Sequence, residues 1–222
     1  MTRIFKYGLL LIALLLAIAV GAGVMGYVDA RADADRLRKQ ADDLIAQGRG
    51  GADLGAEHLA ILLKVEDPRF TTHSGVDFST PGAGLTTITQ SAAKRLAFDE
   101  FRPGFAKIRQ TGYALGLESR LSKDQILALW LDTLEMGKGP NGWMTGFDRA
   151  SEQIYGRRPV DLNNVEFIRL VAVLIAPSSY QLTRNDTGLD ERAKRIERLL
   201  AGQCAPLGLT DVWLDECQAN GK

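Results

Sequence analysis

The 222-residue chain predicts an all-α domain behind a single N-terminal transmembrane helix. Three observations support this fold class. Residues 7–28 form an uncharged apolar run of about 22 residues, which is long enough to cross a hydrocarbon core of roughly 30 Å. Apolar residues at helical spacing recur along the remainder of the chain, and alternating strand-like runs are almost absent.

The apolar run has charged flanks that predict its orientation. Arg3 and Lys6 precede it and Asp29 follows it, so residues 1–6 should form a cytoplasmic tail and the remainder should lie on the outer side. A cleaved signal peptide is the alternative, because residues 28–30 and 32–34 resemble small-residue cleavage sites. The run exceeds the roughly 7 to 15 residues of a signal-peptide core, which favours an uncleaved anchor.

The chain after residue 28 divides by composition into three segments. Residues 29–53 predict a charged, alanine-rich helical stalk that ends in the flexible break Gly48-Arg49-Gly50-Gly51. Residues 54–185 predict the folded domain, and 186–222 a C-terminal helical segment. Helical patterns occupy 57–66, 86–96, 105–120, 123–135, 147–155, 162–175 and 189–201, and glycine-rich loops occupy 82–84 and 137–146.

Charge and cysteine content exclude some function classes. The chain has 27 basic and 27 acidic residues, so nothing indicates a nucleic-acid partner. Cys204 and Cys217 could form a disulfide outside the cytoplasm, with two free thiols as the alternative. His58 and His73 are the only histidines, and no metal-ligand spacing is present.

An acidic pair, Glu66 and Asp67, stands where a helix must end, because Pro68 disfavours helical geometry in the residue before it. A carboxylate beside the partial negative charge of a helix C-terminus is disfavoured, which raises its pKa. A carboxyl group with a raised pKa suits general acid–base catalysis near neutral pH.

The pattern Glu66-Asp67-x-x-Phe70-x-x-His73-x-Gly75-x-Asp77 resembles the first signature of family 51 glycosyltransferases, the peptidoglycan glycosyltransferases. All six fixed positions are filled. In that family the glutamate that matches Glu66 takes the proton from the hydroxyl of the acceptor sugar.

The segment from Gly84 to Arg95 resembles the second motif of that family, Gly-Gly-Ser-Thr-Ile-Thr-Gln-Gln-x-x-Lys-Asn, with Leu85, Thr86, Ser91 and Arg95 as departures. Ser91-x-x-Lys94 also matches the nucleophile motif of penicillin-binding transpeptidases. No Lys-Thr-Gly follows and the chain is too short for that domain, so we reject that interpretation.

The third motif of the family, Arg-Lys-x-x-Glu, falls on Ala106 to Gln110, so a glutamine replaces the second glutamate. A glutamine side chain cannot accept a proton or bring negative charge to a metal. Residues 123–132 and 166–180 resemble the fourth and fifth motifs, and we expect them to form scaffold. Ser122 and Gln125 predict a capping box at the start of a core helix.

The resemblance implies a lysozyme-like, two-lobed helical domain that polymerises lipid II into glycan strands with release of polyprenyl pyrophosphate. It implies a location in the bacterial inner membrane, with the catalytic domain on the periplasmic side and cell-wall synthesis proteins as partners. No cofactor is certain, and a divalent cation (Mg or Mn) at the pyrophosphate is compatible with the family. The site residues implied are Glu66 and Gln110 as catalytic and Asp67, Arg69, Phe70, His73, Thr86, Thr87, Gln90, Lys94, Lys107 and Arg109 as substrate-binding.

Two alternatives stay open from the sequence. Gln110, Ala106 and Ser91 favour a catalytically impaired relative that binds lipid II or glycan and regulates or scaffolds wall synthesis. A lytic enzyme that uses Glu66 as a lone acid would cleave glycan, but it would need neither the basic residues nor the membrane anchor.

Overall fold

The computed structural model describes residues 3–218, and almost all of its regular secondary structure is helical. Residues 1–2 of the predicted tail and 219–222 of the predicted C-terminal segment lie outside that range. The all-α prediction is confirmed. The helices are α1 (Arg3–Ala46), α2 (Ala56–Glu66), α3 (Ile88–Ala97), α4 (Phe105–Glu118), α5 (Lys123–Thr133), α6 (Phe147–Tyr155), α7 (Asn164–Val173) and α8 (Thr187–Leu200), with short 3₁₀ helices at Gly51–Leu54, Pro159–Asp161 and Asp215–Cys217.

Helix α1 joins the predicted membrane segment and the predicted stalk without a break. Its first half presents exposed apolar side chains and is, by length and composition, the one helix in the described residues that could cross a membrane. Its second half buries small and apolar residues at helical spacing against α4 and α5. The segment expected to be a stalk is therefore packed onto the domain; its buried residues are Ala30, Ala34, Leu37, Ala41 and Leu44.

Glycines bring α1 and α4 into backbone contact. A Cβ added at Gly26 would lie 2.0 Å from the carbonyl oxygen of Arg109, and one added at Gly112 would lie 1.9 Å from that of Gly23. Small residues allow two helices to approach this closely, as they do in membrane-embedded helix pairs. The ion pair between Asp29 and Arg109, 2.7 Å long, lies at the same interface. The apolar half of α1 is therefore fixed directly to the folded domain.

Helix α5 forms the centre of the core. Residues 126–131 are all buried, including Trp130, which is 1% exposed. The predicted capping box is confirmed, because the Ser122 hydroxyl accepts from the Gln125 backbone N–H and the Gln125 side chain accepts from the Ser122 N–H. This helix is apolar all round because α1 and α3 both pack against it.

The prediction of a loop at 137–146 was wrong, because most of this segment belongs to a hairpin of β1 (Glu135–Gly139) and β2 (Gly142–Thr145). Its strands are short and rich in glycine, so they show no clear alternation of polar and apolar residues. Gly137 has φ +83°, and a Cβ there would meet the carbonyl oxygen of Pro177 at 2.5 Å. Met136 and Met144 are buried and attach the hairpin to the core.

We expect Gly112→Ala to destabilise the protein by roughly 1–3 kcal/mol, because the new methyl group would overlap the backbone of α1. For a domain of this size the melting temperature should fall by roughly 2–12 °C. Thermal unfolding of the full chain in detergent micelles would measure the change. The control is Gly21→Ala, where an added Cβ meets nothing within 4 Å. Equal melting temperatures for the two variants would contradict the close contact.

Candidate active site

Glu66 is the last residue of α2 and faces a cavity of about 360 Å³. Asp67, in a non-helical conformation with φ −161°, ends the helix just before Pro68 as the sequence predicts. The glutamate side chain is half-buried. The cavity is walled by the loop 82–86, by α3 and by α8, and its polar lining residues besides Glu66 are Thr86, Ser91 and Arg192.

The environment of Glu66 favours its protonated form. Burial, with a smaller contribution from the neighbouring charge of Asp67, raises the pKa of its carboxyl group to about 7, although Arg192 and Arg95 partly offset the increase. Among the described residues, Glu66 is not locked in an ion pair with either arginine. A carboxyl group with this pKa is close to half ionised at neutral pH, as a general base requires.

Arg192 is the cation that sequence reasoning missed. It lies on α8 and is 4% exposed, and its Nε and Nη1 groups have no hydrogen-bond partner among the described residues. Burial lowers its pKa, and Glu66 counteracts this. The feature of the sequence that could have indicated this residue is its position as a charged residue within the apolar stripe of α8, which includes Leu189 and Ile196. Buried, unpaired N–H groups beside a cavity are typical of a site for an anionic ligand.

Arg95, which replaces the asparagine of the second motif, lies near both Glu66 and Glu135. Burial lowers its pKa to about 10, although the two carboxylates partly offset the decrease. Its Nε donates to Thr133, and its Nη2 has no partner among the described residues. Arg95 also lines a second cavity of about 610 Å³ with polar and aromatic walls, which includes Lys94, Phe98, Phe101, Asp132, Glu135 and Arg149.

Three residues predicted to bind substrate connect the end of α2 to the start of α3, and their substrate-binding role stays a prediction from the family resemblance. Asp67 is 1% exposed, and its Oδ2 accepts hydrogen bonds from His73 Nε2 and from the backbone N–H of Ile88. His73 Nδ1 accepts from the N–H of Gly75, so the hydrogen of the neutral ring lies on Nε2. Phe70 is buried with its ring edge-to-face against His73. These side chains fix the position of Glu66 from behind the cavity.

Side chains at the start of α3 also connect neighbouring parts of the domain. Thr87 is its N-cap and accepts from the Gln90 N–H, while the Thr87 hydroxyl donates to the Gly75 carbonyl. The Gln90 amide donates to Thr111 on α4. Both side chains are buried, whereas the neighbouring Thr86 is exposed in the cavity. Of the three predicted residues of this segment, only Thr86 therefore faces the space where a substrate could bind.

The remaining side chains predicted as cationic substrate-binding groups differ in whether they are free to bind an anion. Lys107 donates to Thr86 over 3.0 Å, and burial together with Lys94 lowers its pKa. Lys94 is exposed and lies 5.2 Å from the ring centroid of Phe101. Arg109 is paired with Asp29, and the exposed Arg69 donates to Ser79. Lys107 therefore contacts the wall of the Glu66 cavity and Lys94 lines the second cavity, whereas Arg69 and Arg109 line neither of them.

Gln110 is 1% exposed and lines neither of the cavities described above. Its Nε2 donates to the carbonyl oxygen of Gln90 over 2.6 Å, and its Oε1 has no partner among the described residues. The structure thus places Gln110 between α3 and α4 as a packing residue. A catalytic role for this position remains a prediction from the family resemblance.

The C-terminal segment holds one wall of the Glu66 cavity. Cys204 and Cys217 form a disulfide, with Cα atoms 5.4 Å apart, and close a loop over residues 204–217. Within this loop, the carbonyl oxygens of Gly208 and Leu209 accept from the N–H groups of Gly82 and Gly84, each over 2.8 Å. The disulfide-closed loop therefore fixes the segment 82–86 that faces Glu66.

Comparisons of the sequence with known proteins identify relatives of this chain. A family model described as transglycosylase matches residues 52–201. The chain is 29% identical over 164 residues to penicillin-binding protein 2D of Bacillus subtilis, covering 68% of this chain and 23% of that protein. It is 35% identical over 149 residues to a biosynthetic peptidoglycan transglycosylase of Marinomonas sp., covering 60% of this chain and 63% of that protein.

The family match, together with the helical structure, defines the class of protein as a transglycosylase. The chain belongs to the transglycosylase family, glycosyltransferase family 51, which confirms the resemblance inferred from the motifs. The match extends through α8 and includes Arg192, so the predicted boundary at residue 185 falls inside the region that matches the family. The matched region spans less than two thirds of the length of either relative.

We expect the double variant Cys204→Ser/Cys217→Ser to release the segment 82–86, because it opens the loop that holds Gly82 and Gly84. Hydrogen exchange would measure this as faster exchange of those two amides, by roughly 10-fold or more. The N–H of Ile88, which Asp67 binds, should change much less and serves as an internal control. Unchanged exchange at Gly82 and Gly84 would show that the disulfide does not hold this wall.

Proposed function

We propose that this protein is a membrane-anchored peptidoglycan glycosyltransferase that polymerises lipid II into glycan strands and releases polyprenyl pyrophosphate. The observation that carries the proposal is Glu66, a carboxyl group with a pKa of about 7 that faces a cavity beside two arginines with unpaired N–H groups. The family match and relatives named peptidoglycan transglycosylase support the same reaction class.

In the proposed reaction, the C4 hydroxyl of the acceptor sugar attacks the anomeric carbon of the donor. A new C–O bond forms as the bond from that carbon to the pyrophosphate oxygen breaks. Glu66 takes the hydroxyl proton, a contribution of roughly 10²–10⁴ in rate for a well-placed base. The lipid pyrophosphate leaves with the electron pair of the broken bond.

The developing negative charge needs cations at the leaving group. Lys94 and Lys107 are suited to this because neither is held by a carboxylate among the described residues. Arg192 and Arg95 lie closer to Glu66 and would instead orient the bound sugars and tune the base. The described residues hold no group of three or more metal-ligating side chains, so a divalent cation, which stays a prediction, would depend on pyrophosphate oxygens for most of its ligands.

One observation favours the alternative of a catalytically impaired relative, which is the glutamine at position 110. In this alternative the cavity binds lipid II or glycan without turnover, and the protein regulates or scaffolds wall synthesis. The burial of Gln110 away from the cavity argues against a direct part in proton transfer. A lytic activity is less favoured because it gives Lys94 and Lys107 no role.

We expect Glu66→Gln to lower the rate of lipid II polymerisation by roughly 10²–10⁴, because an amide cannot take the acceptor proton. Purified full-length protein in liposomes with lipid II, with glycan strands resolved on gels, would measure this. In the natural protein the rate should rise with pH through about 7, as Glu66 loses its proton.

The matched control for that assay is Glu57→Gln, an exposed glutamate in the first turn of the same helix, which should retain full activity. Polymerisation by Glu66→Gln at the wild-type rate would exclude Glu66 as the base. No polymer from the natural protein, with lipid II binding intact, would support the impaired alternative.

We expect Gln110→Glu to lower stability without raising turnover. A carboxylate at this buried position could not donate to the Gln90 carbonyl, and the two oxygens would repel each other. Melting temperature and polymerisation rate measured on the same preparation would test this. The control is Gln110→Ala, which also removes the hydrogen bond but adds no charge. A large gain in turnover with glutamate would show instead that the natural glutamine impairs catalysis.

A further inference from the structure

The disulfide-closed loop, residues 204–217, supplies one side chain of the cavity that holds Glu66. Val212 lines this cavity, and a Cβ added to Gly84 would lie only 2.8 Å from its Cγ1 atom. This close contact is in addition to the hydrogen bond that the loop accepts from the N–H of Gly84. The family match ends at residue 201, so this wall of the cavity is built on a part of the chain outside the matched region.

The loop is incompletely packed against the domain beneath it. Apart from the 3₁₀ turn Asp215–Cys217, it has no regular secondary structure. A cavity of about 260 Å³ lies between the loop and the end of α2, and its loop side is lined by Ala205, Pro206 and Leu214. Protein interiors normally contain few voids larger than a water molecule. Packing therefore provides only part of what keeps the loop closed.

Leu214 holds the loop in a disfavoured backbone conformation. Its φ of +55° lies in the left-handed region, and it is the only residue other than glycine with a positive φ in the described part of the chain. Leucine is disfavoured there because its Cβ crowds the backbone carbonyl. Such strain persists only where the surrounding structure imposes it. The closed loop therefore stores strain that an open loop would release.

Polar contacts attach the closed loop to α8. Arg195 donates to the carbonyl oxygen of Trp213 and pairs with Asp215, each over 3.0 Å. Arg198 donates to the carbonyl oxygen of Cys217. Asp215 is exposed, and an ion pair that is open to solvent contributes little to stability. The disulfide is therefore the strongest single constraint that keeps the loop closed.

One sulfur of the disulfide is accessible to a reductant. Cys217 is 1% exposed, whereas Cys204 is only partly buried. A thiolate of a dithiol reductant attacks Cys204 Sγ, the S–S bond breaks, and the Cys217 thiolate leaves and takes up a proton. The second thiol of the reductant then closes it into its own disulfide and releases the thiol of Cys204. Two electrons pass from the dithiol to the protein, and oxidation reverses the change.

We propose that the disulfide-closed loop is a thiol-sensitive switch for the reaction at Glu66, closed and active when oxidised, and open and weakly active when reduced by a dithiol. The inference rests on the proposed function and adds to it a means of regulation. In the closed state, Val212 and the segment 82–86 shield the carboxyl group from water. In the open state, the strain at Leu214 is released, this wall moves, and the acceptor is held less precisely.

Opening of the loop should change the titration of Glu66 as well as the rate. The charged groups that face Glu66 are Asp67 beside it, Arg95 on α3 and Arg192 on α8. Asp211 of the loop acts on Arg192 and not on Glu66. Reduction would therefore leave the charges around Glu66 in place and remove part of the burial that raises its pKa to about 7.

The pH dependence of the rate reports this change. Because Glu66 acts as a base only when it is ionised, the rising limb of the pH–rate profile follows its pKa. On reduction, the midpoint of that limb should move from about 7 toward the 4.5 of an unperturbed glutamate.

The test is lipid II polymerisation by the full-length protein in liposomes, first oxidised, then reduced with dithiothreitol, then reoxidised. We expect reduction to lower kcat/KM by roughly 10- to 100-fold, because the wall that positions the acceptor moves. Reoxidation should restore the original rate. The control Cys204→Ser/Cys217→Ser should have the rate of the reduced protein and should not respond to dithiothreitol.

A second control distinguishes opening of the loop from a general loss of stability. Gly112→Ala weakens the α1–α4 contact and leaves the disulfide intact, so its pH–rate midpoint should stay at about 7. An unchanged kcat/KM or an unchanged midpoint on reduction of the natural protein would overturn the inference. Amide exchange at Ile88 that becomes as fast as at Gly84 would also overturn it, because the domain would then have unfolded.

A measurement without substrate separates the switch from the proposed function. Carbon-13 NMR of the Glu66 carboxyl group in both redox states reports its pKa whether or not the protein makes polymer. A pKa that falls on reduction, with no polymer in either state, would support the opening of the loop at this site and contradict the polymerase. Polymer formed at the same rate in both states would support the polymerase and overturn the switch.

Discussion

Glu66 keeps a carboxyl group half-buried at the C-terminal end of a helix, without a close ion pair, and much of the domain is arranged around this constraint. Burial and the helix end both oppose ionisation. Arg192 and Arg95 restore part of the stability of the charged form, so that the pKa settles near neutrality and not far above it. Asp67 and His73 fix the helix end from behind, and the disulfide-closed loop fixes the opposite wall. A change in any of these supports would move the carboxyl group or its pKa.

The second constraint is the backbone contact between α1 and α4, which connects the membrane to the site. Because α1 is one continuous helix, its apolar first half extends directly from the second half that is buried against the domain. Helix α4 carries Lys107, which bonds to Thr86 in the cavity wall. Depth in the bilayer and distance to the reacting groups are therefore set by the same pair of helices. The lipid-linked substrate of the proposed function would require such a fixed geometry, since its sugars could extend only a limited distance from the membrane.

The sequence predicted the parts of this structure that depend on local patterns. Helix bounds, the capping box at Ser122 and the helix end at Glu66 follow from apolar spacing, hydroxyl caps and Pro68, and the structure agrees with them. Features that depend on tertiary contacts were not predictable. Arg192 lies far from Glu66 in the sequence, near the other end of the chain. The β1–β2 hairpin is too short and too rich in glycine to show an alternation of polar and apolar residues. Asp67 is buried behind the site only because the fold brings α2 and α3 together.

The fold tunes Glu66 to titrate near neutral pH. Carbon-13 NMR of the glutamate side-chain carboxyls, with Glu66 assigned by comparison with Glu66→Gln, would measure its pKa directly in the full-length protein in micelles. We expect a pKa of about 7, against 4.5 for an unperturbed glutamate. A pKa near 4.5 would mean that the carboxyl group is solvated or paired in solution. That result would contradict the tuning of Glu66 by burial and by its two arginine neighbours.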